Sequence, residues 1–289
     1  MTTTLVFGAT GNVGRPLVRS LVSKGLDVRA ASRSGEPVEG TQGVVFDFAT
    51  PETLSGIFDG VAQAYLLLPS GYVKAKALLM PVIDAAKENG VKLVFQSVFG
   101  ADASDDIPYR QVEIALEKSG LAYVILRPNW FLDNFHSFWK TGIDHGVIAL
   151  PAGDGKSSFI DARDIAACAE AALTSSQFDG KAFNLTGPAA LSYAEAATVL
   201  SETLGRSIRY DAISDEGFVD MLTGSGVPGD YAQFLAGIFY SVREGWTSAV
   251  TGDVETLTGA KPRSISQYAN DHLALLKALT LVPGISRAV

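Results

Sequence analysis

Leu5-Val-Phe-Gly-Ala-Thr-Gly-Asn-Val-Gly14 is the stretch whose reading decides the fold. Its first three residues are β-formers. The glycines at 8, 11 and 14 then punctuate a turn, and Val13 to Lys24 carries Leu17, Val18, Leu21 and Val22 on one helical face. Strand, glycine turn and helix in this order predict a βαβ opening unit. Each glycine has a separate task there. One makes the tight turn, one lets backbone amides approach a diphosphate, and one lets helix and strand pack closely. The helix aims its positive end at the same place. Gly8, Thr10, Gly11, Asn12, Val13 and Gly14 are the expected phosphate-side contacts of a bound dinucleotide.

Outward from this turn the alternation continues. Strands are expected at residues 28–31, 43–46, 64–68, 91–96 and 121–126, with helices at 13–24, 53–58, 74–89 and 109–119. Near-continuous apolar strands between helices predict parallel strands buried on both faces, an α/β doubly wound Rossmann sheet. The period breaks after about residue 135. Residues 145–160 and 181–186 still read as strands, and 190–205, 214–223, 229–244 and 266–279 as helices. The organisation expected is a dinucleotide-binding unit over 1–150 and a smaller, mostly helical substrate-side region over 151–289. The latter returns a strand near 181–186 to the sheet. The apolar tail Leu273 to Val282 reads as a docked amphipathic helix.

The chain has 289 residues, 47% hydrophobic and 19% charged, with a net charge of −8. That balance describes a globular domain and speaks against nucleic acid, which needs clustered Lys and Arg. No apolar run approaches the ~20 residues of a membrane span. Met1-Thr-Thr-Thr leads straight into a strand without a basic or apolar leader, so the expected location is the cytoplasm, as monomer or homodimer. The single cysteine, Cys168, sits in Ile165-Ala-Ala-Cys-Ala-Glu-Ala-Ala-Leu173 and reads as inert packing on a helix face. His136, His145 and His272 lack metal-ligand spacing, so no metal is expected. Arg163-Asp164 opens a helix, with Asp164 as the expected cap or local ion-pair partner. No G-x-S-x-G elbow is present, which leaves hydrolase chemistry unsupported.

The second strand ends Ala31-Ser32-Arg33-Ser34, with no carboxylate until Glu36. An acidic side chain here would hold a ribose 2′-hydroxyl, whereas a guanidinium beside hydroxyls suits a 2′-phosphate. NADP(H) is therefore expected over NAD(H), with Arg33 and Ser32 as ligands. Asp47 and Phe48 end the third strand near the adenine position. Leu68 and Pro69 end the fourth, and Ser97, Val98 and Phe99 the fifth, at the edge where ligands gather. Such positions serve either ligand or scaffold.

Further segments complete a family pattern. They are Ser119-Gly-Leu-Ala-Tyr-Val-Ile-Leu-Arg-Pro128 with Asn129-Trp-Phe-Leu-Asp-Asn134, Phe159-Ile-Asp-Ala-Arg-Asp164, and Phe183-Asn-Leu-Thr-Gly-Pro188 with Leu191-Ser-Tyr-Ala-Glu195. Together with the glycine turn, the chain resembles the NmrA-like group of atypical short-chain dehydrogenases/reductases over nearly its whole length. The resemblance implies an NADPH-dependent reductase of the type-2 quinone oxidoreductase or triphenylmethane reductase kind. It equally admits an NADP-sensing regulator without catalysis.

Ordinary short-chain dehydrogenases pair Tyr-x-x-x-Lys, the lysine making the tyrosine a better acid. The only match, Tyr72-Val-Lys-Ala-Lys76, follows the fourth strand, not the fifth, and reads as coincidence. On the helix after the fifth strand stands Tyr109-Arg-Gln-Val-Glu113, without the lysine. In NmrA-like reductases the place of Tyr109 often holds His, and in isoflavone-reductase relatives a catalytic Lys. Tyr109 is thus the candidate catalytic contact. A missing acid suits acceptors that take hydride into an electron-poor system, such as a quinone, dye or imine. The expected partner is a small aromatic or quinoid molecule, in a pocket lined by Trp130, Phe131 and Phe135, with Phe99, Phe138 and Trp139 nearby. Aromatics in this pattern also fill cores.

Overall fold

A computed structural model describes residues 3–38 and 40–278. In chain order the first half runs β1 (Thr3–Phe7), α1 (Gly14–Ser23), β2 (Asp27–Ser32), β3 (Gln42–Val45), β4 (Val61–Leu66), α2 (Ala75–Glu88), β5 (Lys92–Gln96), α3 (Pro108–Glu117) and β6 (Tyr123–Pro128). Then come α4 (Lys140–Asp144), β7 (Val147–Leu150), β8 (Lys156–Ser157), α5 (Ala162–Thr174), β9 (Lys181–Leu185) and β10 (Leu191–Ser192). The chain continues with α6 (Tyr193–Leu204), β11 (Arg209–Ala212), α7 (Asp215–Gly224), α8 (Gly229–Arg243), α9 (Asp253–Thr258), α10 (Ile265–Asp271) and α11 (Leu273–Lys277).

Seven strands form one sheet in the order β3-β2-β1-β4-β5-β6-β9, every neighbouring pair parallel. The strand order reverses between β1 and β4, which leaves a crevice at their C-terminal ends. This is the Rossmann-like doubly wound arrangement. Alternation along each strand feeds two cores. Val6, Ala30, Tyr65 and Val124 turn toward Leu17, Val18 and Leu21 of α1 and Ile165, Cys168 and Ala169 of α5. Leu5, Phe7, Leu66, Leu93 and Phe95 turn toward Leu79, Val82 and Ile83 of α2 and Val112 and Leu116 of α3. With both faces covered, the inner strands are apolar at their centres, while β3 at the edge is half exposed.

A third core lies in the C-terminal half, where Leu132, Phe135, Ile148, Tyr193, Leu200, Phe239 and Tyr268 are buried together. Residues 162–185 do not belong to it. They return to the sheet, α5 against α1 and β9 beside β6. The strand expected at 145–160 divides into β7 and β8, because Pro151 and a glycine at positive φ, Gly153, turn the chain between them. The helix expected at 53–58 is instead a single 3-10 turn at Pro51–Leu54, with Gly56 at φ +67 breaking the run. β4 ends two residues before Leu68, so Leu68 and Pro69 sit on the loop that follows it. Of the apolar tail, α11 is described and carries one fully buried side chain, Leu276; residues 279–282 lie outside the described residues. Among the described residues no helix is long and apolar enough to cross a membrane.

Candidate functional site

The crevice begins at the glycine turn. Gly8 takes φ +65, a left-handed conformation that side chains disfavour, and Gly11 N–H closes the turn on Gly8 O at 2.9 Å. A Cβ on Gly14 would stand 2.1 Å from Gly8 O and 2.8 Å from Ala9 Cα, so only glycine lets α1 approach β1 this closely. Thr10, Gly11 and Asn12 are exposed, and Val13 is buried beneath them. The first turn of α1 has neither a side-chain cap nor an acidic residue. Arg15 N–H is taken up by Gly11 O at 3.0 Å and Pro16 has none, so it is the amides of Asn12, Val13 and Gly14 that face outward for an external anion, and a diphosphate fits this cradle.

At the β2–β3 corner, Arg33 is exposed, while Ser32 is nearly buried and its Oγ accepts Gly35 N–H at 3.1 Å. Asp47 Oδ1 accepts Ala49 N–H at 2.9 Å and the Tyr72 hydroxyl at 3.0 Å. Tyr72 titrates above the usual phenol range. Burial is the main cause, its bond to Asp47 and that carboxylate's charge add to it, and the Arg33 charge opposes. Arg33, Asp47 and Tyr72 thus meet at one corner. Phe48 is buried edge-on to Phe46 at 4.8 Å and packs near Tyr72, so it braces the corner from below. Tyr72 lies on a loop with its hydroxyl committed to Asp47, and Lys76 points to solvent on α2. They form no acid pair.

At the other side of the crevice, Ser97, Val98 and Phe99 leave β5. Ser97 is buried, Val98 is exposed, and Phe99 N–H donates to Pro128 O at 3.1 Å. Tyr109 stands in the first turn of α3, which Pro108 pre-shapes. Its ring stacks on Phe95 at 6.3 Å and 18°. Its hydroxyl is pushed up to about 12, by burial and then by the Tyr231 phenol. No cation relieves it. Four residues on, Glu113 is fully buried and accepts from Arg127 Nε at 2.9 Å, Arg127 Nη2 at 2.8 Å and Arg110 Nη1 at 3.1 Å. Arg127 also donates to Asp102 at 2.5 Å. Burial alone would raise the Glu113 carboxyl, yet these guanidinium bonds hold it below its ordinary value. Ser97 Oγ is near enough to help lower it but makes no bond of normal geometry. Where other dehydrogenases place a lysine, this chain has a locked carboxylate.

The three aromatic residues expected to line a pocket are differently placed. Trp130 is half-buried and lies on Phe239 of α8 at 4.7 Å. Phe131 is half-buried against the sheet-side core. Phe135 is fully buried, packed on Trp139 and Phe159 at 5.0 and 5.5 Å, within the third core. Sequence reading had no role for Tyr231 on α8, whose hydroxyl accepts Gly71 N–H at 2.9 Å. Its signal was the apolar spacing Tyr231, Phe234, Ile238 along one helix flank.

His136 and His272 form a separate group, while His145 bonds Thr141 O at 2.7 Å. His136 stacks on His272 at 5.2 Å and bonds the Tyr268 hydroxyl, and burial, then His272, brings it down to about 4. Among the described residues no group of three His, Cys, Asp or Glu side chains is placed to hold a metal. The cap of α5 is Asp161, which accepts Arg163 N–H at 2.8 Å. Asp164 instead accepts Arg263 N–H at 2.7 Å and pairs with its guanidinium, tying α5 to the segment before α10; it is neither the cap nor a local ion-pair partner but a long-range one.

Residues 1–269 match the NmrA-like family. The chain is a member of it. This NmrA-like protein is 34% identical over 278 residues to prestalk A differentiation protein A of Dictyostelium discoideum, covering 92% of this chain and 91% of that protein. It is 32% identical over 287 residues to an NAD(P)H azoreductase of Xenophilus azovorans, covering 95% and 99%. The NADPH-dependent quinone oxidoreductase of Escherichia coli, solved with NADPH, superposes with a TM-score of 0.81 at 25% identity, covering 94% of this chain and 99% of that one. Within this NmrA-like fold the geometry joins an anion-ready glycine turn, a cationic corner at Arg33, and a neutral phenol at the far end of the crevice.

Proposed function

We propose that this NmrA-like chain is an NADPH-dependent reductase of flat, electron-poor organic acceptors of quinone, dye or imine type. Residues 8–14 hold the diphosphate through the amides of the turn and of α1. Arg33 reads the 2′-phosphate, with Ser32 beneath it, and no acidic side chain at the end of β2 opposes. Asp47 and Phe48 shape the adenine side, and Leu68, Pro69, Ser97, Val98 and Phe99 flank the crevice toward the nicotinamide. The bound nicotinamide supplies the hydride.

The observation that carries the acceptor class is the setting of Tyr109. A phenol at about 12 with no cation beside it is a hydrogen-bond donor and a poor acid near neutral pH. Carbonyl reduction to an alcohol demands a proton as the alkoxide forms. A quinone takes hydride to give a stabilised phenolate, and a protonated imine or a cationic dye gives a neutral product, so neither makes that demand, and water completes any protonation. Tyr109 then orients the acceptor, and Trp130 with Phe131 bounds its side of the crevice. The names of the azoreductase and quinone oxidoreductase relatives agree with this acceptor class. In this reading residues 1–150 serve the cofactor, and 151–289 the acceptor side, save the segment that returns to the sheet.

The test is to follow NADPH absorbance with a panel of quinones, azo and triphenylmethane dyes, and imines. Turnover of at least one class is expected. Saturable NADP(H) binding without turnover of any would replace the reductase by a sensor.

A further inference from the structure

One side chain bridges α8 and the loop after β4. Gly71 N–H donates to Tyr231 Oη at 2.9 Å, between residues 160 positions apart in the chain. Gly71 is exposed at φ +101 with no heavy atom within 4 Å of where a Cβ would stand, so its backbone lies in the open. The Tyr231 ring stacks on Phe234 at 6.1 Å and 18°. Both lie with Ile238 on one flank of α8, beside the buried Ala232, Ala236 and Phe239. Phe239 in turn supports Trp130. Phe234 is 42% exposed, so this flank presents aromatic surface to open space. The same flank reaches the end of the crevice where Tyr109 stands: the loop that Tyr231 holds runs on into Val73 and Lys74, which line one cleft with Pro108 and Gln111 on either side of Tyr109, and Tyr72 and Tyr109 pack on the same core.

A phenol oxygen that accepts an amide proton still carries its own. Accepting polarises the O–H bond and makes it the better donor. We propose that Tyr231, fixed by Gly71, is an acceptor-binding residue: it offers a second O–H beside that of Tyr109, so that the oxygen of a quinone-type acceptor is held by two phenols. The inference rests on the reductase reading and adds to it the specificity for an oxygen-bearing acceptor. It assigns α8 to the site through a side chain.

The test is Tyr231→Phe, which keeps the ring and its stack on Phe234. Hydrogen exchange in the cofactor-free chain should show the Gly71 amide losing protection, by about fivefold or more. With 1,4-benzoquinone as probe, KM should rise about 2- to 12-fold, the worth of one neutral hydrogen bond. The kcat and the NADPH Kd should stay within about twofold. Tyr231→Ala, which also removes the ring, should raise KM further. Unchanged Gly71 exchange overturns the latch. An unchanged KM overturns acceptor binding, and so does a KM that moves together with the NADPH Kd, because that marks a disrupted loop. A wild-type chain that reduces dyes or imines but no quinone overturns the acceptor role and leaves the reductase reading standing, whereas one that reduces nothing in the panel removes both. Exchange at Gly71 still reports the latch in that case, so the two failures are told apart.

Discussion

Replacing Glu113 with glutamine tests why Tyr109 stands without a lysine. Glu113 is completely buried and Arg127 is only 7% exposed, so their paired bonds at 2.9 and 2.8 Å run in a dry setting. Glutamine keeps one acceptor but turns an amide N–H₂ toward a guanidinium donor, and it removes the charge. Arg127 is left with Asp102, which is 46% exposed. Breaking a buried pair costs about 3–5 kcal/mol, and the surviving Asp102 contact places this case near about 3. For a chain of this size that is roughly a 6–12 °C fall in Tm. Urea denaturation at neutral pH measures it. The pH dependence has a definite sign. Guanidinium bonds hold the folded carboxyl below its ordinary value, so its contribution is present above the unfolded pKa and is lost as pH falls through the folded pKa. The stability gap between wild type and Glu113→Gln should be full at neutral pH and close in acid. A loss under about 1 kcal/mol, or a gap that persists unchanged well below the pKa of a free carboxylate, would refute the reasoning.

The other predictions concern the crevice and the core. Arg33→Ala should weaken NADPH binding by about 10- to 100-fold, the worth of charge-assisted bonds to a phosphate, and leave NADH binding unchanged; titration calorimetry decides. Tyr109→Phe should lower kcat less than about tenfold, since a neutral hydrogen bond is lost and no general acid. The wild-type pH–rate profile should show no tyrosine ionisation through neutral pH, as the phenol lies at about 12. Glu113→Lys restores the Tyr-x-x-x-Lys spacing yet should unfold the chain or leave it less stable, because the new cation faces Arg127 and Arg110; a gain in carbonyl reduction would contradict this. Burial pushes the Cys168 thiol well above its usual range, so a thiol reagent should label it only on unfolding.

The inner strands through β6 were legible because parallel strands covered on both faces are apolar at their centres, and the glycine turn was legible because its sterics admit few other residues. The relation of Glu113 to Arg127 was not. A carboxylate on a helix reads as solvated until the fold brings β6 alongside it. Aromatic residues after β6 could not be sorted by sequence, since Phe135 and Trp130 have similar neighbours in the chain but one is enclosed and the other lines α8. Tyr231 escaped notice because helical periodicity marks an apolar side without saying which loop meets its edge. Asp161 and Asp164 both suit a helix start, and only the backbone conformation at Asp161 makes it the cap.

The central claim is that the amides of residues 8–14 hold a dinucleotide diphosphate. Titrating the wild-type chain and Gly14→Ala with NADPH and NADH by calorimetry tests it most directly. Saturable binding is expected, tighter for NADPH, and weakened at least about tenfold in the variant, whose Cβ would force α1 away from Gly8 O. A folded wild-type chain with no affinity for either nucleotide would contradict the account.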